Sequence, residues 1–115
     1  MINMSTLTTN WYKACRVEDV PANSGACILV DGKQIAIFNF ERRNEWFATN
    51  NQCPHRRQMI LSRGMVGSQG DEPKVACPFH KKAFSLKTGA CLNDENYHIE
   101  TFPIQIREGM VYVAI

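Results

Sequence analysis

Two short segments of this 115-residue chain bring thiol and imidazole side chains together: Cys53-Pro54-His55 and Cys77-Pro78-Phe79-His80. Each opens on Cys-Pro and closes on His, and 21 residues separate His55 from Cys77. That gap lets each pair occupy its own loop, with a strand and a hairpin between them. Proline after each cysteine fixes φ and removes one backbone donor, favouring a tight turn whose later amides point at an anionic sulfur. Thiolate and imidazole are soft ligands, so the chemistry open to Cys53, His55, Cys77 and His80 as a set is metal binding. A tetrahedral zinc ion accepts two cysteines and two histidines, so zinc stays open at this point.

The other residues of ligand type read as structure. Cys15, Cys27 and Cys91 lie in or beside expected strands, where a reduced cysteine packs as a small hydrophobe. His98 stands between Tyr97 and Ile99 with no cysteine or histidine within five residues, and is left out of the site. Trp11, Trp46, Phe38, Phe47 and Phe102 are expected in a core rather than on a stacking platform. Five cysteines cannot all pair within one chain, which suits a reducing compartment.

The elements that must hold the two loops are strands. Ile35 and Ile37 share one face of Lys33 to Asn39, and Phe102, Ile104 and Ile106 share one face of Thr101 to Arg107. Val111, Val113 and Ile115 continue the alternation. Asp31-Gly32 and Glu108-Gly109 read as tight hairpin turns, with a third turn at Lys87-Thr88-Gly89. Trp11 to Cys15, Ala26 to Val30, Trp46 to Thr49, Lys74 to Ala76 and Ala83 to Leu86 complete the strand set. Val17 to Val20 and Arg56 to Leu61 have room for short helical turns only, and Gly64 to Pro73 reads as a surface loop. The class is all-β, an antiparallel sandwich or barrel.

A mass of 13.1 kDa, 44% hydrophobic and 21% charged residues describe one globular domain spanning residues 1–115. The longest apolar run, Met110 to Ile115, is six residues, far short of the roughly 20 that cross a bilayer, so no membrane is expected. A formal charge of +2 is too small for the broad basic face that nucleic acid requires. The first ten residues lack the basic start and apolar middle of a secretory signal, which points to the cytoplasm.

Cys-x-His followed by Cys-x-x-His resembles the Rieske signature, and the resemblance implies a fold and a ligand set. Two cysteines would hold one iron of a 2Fe-2S cluster and two histidines the other, on a Rieske-like β-sandwich whose loops around 53–66 and 77–89 form a cluster-binding tip. Neutral imidazoles in place of two thiolates make the set less negative and raise the reduction potential. With Phe79 and Lys82 where high-potential members carry a second cysteine and a serine, the likeness is to the ferredoxin-like, low-potential branch. Arg57 and Lys81 stand where Rieske loops carry glycine, so the likeness implies either a bound cluster or a fold kept after the cluster was lost.

Beyond the ligands, Gly64-Met65-Val66-Gly67, Glu72 to Pro78, Phe84-Ser85-Leu86 and Thr88-Gly89 resemble the small subunit of assimilatory NAD(P)H-dependent nitrite reductase. That family implies a cytoplasmic partner, a large subunit carrying FAD, an iron-sulfur cluster and sirohaem, with nitrite reduced to ammonium there and no substrate site on this chain. A stand-alone Rieske ferredoxin serving an oxygenase and a cluster-free structural subunit are the competing classes. Residues 53 to 87 carry seven basic and two acidic side chains, a local balance of +5 that would steer an acidic partner to the cluster end. Histidine ligation implies proton uptake by an imidazole on reduction. The midpoint potential is therefore expected to fall as pH rises through the alkaline range, and a flat profile in a potentiometric titration would contradict it.

Overall fold

The computed structural model describes residues 11–41, 44–54, 58–78 and 82–115. Twelve strands are seen among them: β1 (Trp11–Arg16), β2 (Ser24–Val30), β3 (Lys33–Phe40), β4 (Glu45–Asn50), β5 (Gln52–Cys53), β6 (Gln58–Met59), β7 (Met65–Gln69), β8 (Glu72–Ala76), β9 (Ala83–Ser85), β10 (Thr101–Phe102), β11 (Ile104–Arg107) and β12 (Met110–Ala114). They form a four-stranded sheet ordered β10-β4-β3-β2, a three-stranded sheet β1-β12-β11, a second three-stranded sheet β7-β8-β9 and the small pair β5-β6. All the named strand pairings are antiparallel, as the all-β reading requires.

The turns follow from local chemistry. Asp31 and Gly32 both take positive φ, as do Glu108 and Gly109, the conformation of two-residue hairpin turns that match the right-handed strand twist. Gly89, at φ 84°, ends the turn after Ser85, and a side chain there would meet the carbonyl oxygen of Ile99.

Two apolar cores result. Val20, Val30, Ile35, Ile37, Ala48, Phe102, Val111 and Val113 fill the space between the two larger sheets. A second core gathers Ala36, Phe38, Phe40, Leu61, Val75, Phe84, Leu86 and Ile99 with three cysteines. Strand β3 supplies both: Ile35 and Ile37 enter the first core, and Ala36, Phe38 and Phe40 the second. Alternation along β3 therefore does not separate buried from exposed residues, because both faces of its last six residues are covered. Phe40 adds an edge-to-face contact with Phe47, the ring centroids 5.5 Å apart.

Several expectations change. Gly64 to Pro73 is no loop; it contains β7 and the start of β8, joined through Gly70 and Asp71, with Ser68 opposite Pro73. Its glycines hide the pattern, while burial of Pro73, and of Val75 in the second core, provides the driving force. The run Thr101 to Arg107 splits at Pro103, which lacks an amide donor, so Phe102 pairs with β4 and Ile104 with β12. Ile106 is exposed as a result of lying on the outer part of β11. Of the helical turn expected at Arg56 to Leu61, Arg56 and Arg57 lie outside the described residues, Gln58 and Met59 form β6 instead, and a 3-10 turn runs from Leu61 to Arg63. Val17–Asp19 does form a 3-10 turn. Trp11 sits on the surface rather than in a core.

Truncating Phe38, which is fully buried where both small sheets meet β3, is expected to cost about 3–5 kcal/mol of unfolding free energy. Leu29→Ala, on an exposed side chain, should change stability by less than about 0.5 kcal/mol. Urea denaturation of the two variants checks the contrast.

Candidate metal centre

Cys53 ends β5 and Cys77 follows β8 directly, so the two cysteines enter from different hairpins. Both are buried, at 0% and 1% exposure, and both belong to the second core. His55 and His80 lie outside the described residues, as do Arg56, Arg57, Phe79 and Lys81. No disulfide joins any of the five cysteines.

Backbone bonds close the turn at Cys77. Its amide donates to the carbonyl of Lys82 at 2.8 Å, so the chain returns to its starting point within five residues. The Lys82 ammonium is 3.2 Å from an Asp94 carboxylate oxygen and lies over the Tyr97 ring, 5.8 Å from its centroid. The Ala83 amide donates to Asn93 Oδ1 at 3.2 Å. Segment 91–97 thus braces the second cysteine loop from outside. Gly64 lies beside the same turn, where a side chain would meet the Ala76 carbonyl oxygen and the Val75 side chain.

The remaining candidates fall as expected, with one correction. Cys91 is buried in the second core and its thiol donates to Asn93 Oδ1. Cys15 packs half-buried against the first core, and burial, then the nearby Asp19 carboxylate, pushes its thiol up from the ordinary range. His98 Nε2 donates to the Thr88 carbonyl at 3.1 Å. Cys27, expected to pack, is exposed on β2, with its sulfur between Gln34 and Asn51. A partner-facing charge is also lost: Lys82 is matched by Asp94. Among the described residues no group of three or more histidine, cysteine or acidic side chains forms a separate metal site. Asn51 and Asp94 carry no signal in the sequence because nothing in their spacing ties them to the cysteines, and Lys82 reads there only as a basic residue beside the second loop.

Comparison with known proteins adds the decisive observation, a match of residues 10–114 to the family described as Rieske-like [2Fe-2S] domain. The chain belongs to that family. Within it, the nitrite reductase (NADH) small subunit of Salmonella typhimurium is 31% identical over 103 residues, covering 90% of this chain and 95% of that one. The solution structure of the nitrite reductase small subunit from Erwinia carotovora is 33% identical with a TM-score of 0.78, over 91% of this chain and 81% of that one. A ferredoxin structure from Sphingomonas yanoikuyae B1 is 28% identical with a TM-score of 0.73, over 92% and 99%. This Rieske-like chain therefore sits with the nitrite reductase small subunits, and no helix among its described residues is long and apolar enough to cross a membrane.

The Asp94 carboxyl is held below its usual range by the Asn96 amide first and the Lys82 ammonium second. A lowered folded-state pKa means that the stabilisation is complete at neutral pH and disappears as pH falls through that value. The stability gap between the parent protein and Asp94→Ala is expected to hold above about pH 5 and to narrow as pH falls through the carboxylate range. Denaturant titrations across that range measure it.

Proposed function

We propose that this chain is the small subunit of a cytoplasmic NAD(P)H-dependent nitrite reductase and serves its sirohaem- and FAD-bearing large subunit as an electron-transfer or accessory chain, without a substrate site of its own. The observation that supports a redox role is the meeting of Cys53 and Cys77 in one buried apolar core, although they belong to separate hairpins. Two water-excluded thiols on Cys-Pro turns suit a soft metal group, so the described donors fit a 2Fe-2S cluster. Cys53 and Cys77 would hold one iron as thiolates, and His55 and His80 the other through neutral imidazoles. When bound, such a group supplies one-electron transfer.

The chain's own residues supply the surroundings. Phe84, Leu86, Val75 and Leu61 keep water from the sulfurs, and the Lys82 carbonyl sets the conformation of the Cys77 turn. Arg63 and Lys87 are exposed basic residues in the segment that also carries Arg57 and Lys81, and they would orient an acidic partner surface. The competing ferredoxin reading draws on the likeness to the Sphingomonas protein and requires a transient encounter rather than a stable complex.

Protein purified without oxygen is expected to contain about two irons per chain and to show a reduced-state paramagnetic signal that Cys53→Ser and Cys77→Ser both abolish. Metal-free, well-folded protein would instead support the structural-subunit reading. Co-purification with the large subunit should weaken as salt rises and on charge reversal at Arg57 and Lys81. Loss of binding only by dilution, with no stable complex at low salt, would favour the ferredoxin.

A further inference from the structure

Asn51 lies two residues before Cys53 and carries no ligand chemistry, yet it is only 1% exposed and its side-chain amide is fully engaged. Its Oδ1 accepts from the Ser62 amide at 2.7 Å. Its Nδ2 donates to Gln34 Oε1 at 3.2 Å and to the Cys27 sulfur at 3.4 Å. Its backbone amide donates to the Gln34 carbonyl at 3.2 Å, and its carbonyl accepts from Ile60 at 2.9 Å and Leu61 at 3.0 Å.

One residue at the entrance of the first cysteine loop therefore receives three successive amides, 60 to 62, at its exit. It also fastens both ends to the β2–β3 hairpin. Among the described residues, the backbone ladder that closes the loop is β5–β6, which has two residue pairs and an exposed second strand. A two-stranded ladder is marginal in water even at greater length. Among the described residues, polar closure of the loop therefore falls chiefly to Asn51, beside the burial of Leu61 in the second core, and a buried amide of this kind is stable only when its groups are satisfied.

We propose that Asn51 is the positioning residue of the candidate metal centre: by joining the Ser62 amide to Gln34 and Cys27 of the β2–β3 hairpin, its side chain fixes where Cys53 presents its sulfur. The inference rests on Cys53 being a ligand, and two readouts separate the one from the other. The full chain is compared with Asn51→Ala and with Val113→Ala, a fully buried change in the other core that lowers stability without touching the loop. In the metal-free protein, iodoacetamide labelling followed by peptide mass analysis reports local opening. Cys53 should react about tenfold faster in Asn51→Ala than in the parent, with Cys91 of the same core changed less than about twofold. Val113→Ala should show no preference for Cys53.

After anaerobic reconstitution with iron and sulfide, the reduced-state spectrum of Asn51→Ala should shift and broaden, and that of Val113→Ala should match the parent. Parallel labelling of Cys53 and Cys91 in Asn51→Ala, or an unchanged spectrum, overturns the inference. Should the parent take up no iron, the ligand reading fails and the labelling alone decides the clamp. If Asn51→Ala does not fold, Asn51→Asp, which keeps the acceptor and loses the donors, carries the same comparisons.

Discussion

The structure depends on burial of both faces of β3. A strand whose two faces are apolar cannot sit in a two-layer sandwich with one side in water; a second covering must be found for Ala36, Phe38 and Phe40. The chain between Asn51 and Ile99 provides it. Its short strands β5 to β9 have little stability as isolated ladders, and they acquire it by packing on that face. Because Cys53 and Cys77 sit at the ends of β5 and β8, the demand that covers β3 also brings both sulfurs into one core. Folding of the core thus also gathers the two candidate sulfurs.

The two cysteine loops are held by different means. At Cys77 the backbone closes on itself through Lys82, and the Lys82 side chain is held by Asp94 and Tyr97. At Cys53 a buried amide does the work, with its bonds running inward to Ser62 and outward to β2 and β3. The first anchorage is electrostatic and partly exposed, so it responds to pH; the second is buried and neutral, so it does not. Local charge near the site is correspondingly less than a count of basic residues suggests, since Lys82 is already neutralised.

Much of the β framework was legible. Asp31-Gly32 and Glu108-Gly109 read as hairpin turns because positive φ at two successive positions selects those residue types, and both turns are found. Gly64 to Pro73 was misread because glycine-rich strands lack alternation and owe their extended state to what covers them. The break at Pro103 carried a local signal, a missing donor in mid-run, that the apolar alternation of Phe102, Ile104 and Ile106 masked. Cys27 and Trp11 were assigned to packing by residue type, and both lie on outward-facing positions that type alone does not reveal.

Residue chemistry and spacing by themselves singled out Cys53, His55, Cys77 and His80 as the candidate metal ligands and gave the all-β class and the family likeness, because soft donors, tight turns and period-two patterns are local properties. Tertiary structure alone decided that two cysteines 24 positions apart share one water-free core, and that Asn51, Lys82 and Asp94 hold their loops. The physical reason is that burial and hydrogen-bond partnership are set by which distant segments cover a strand, and no local pattern encodes that pairing.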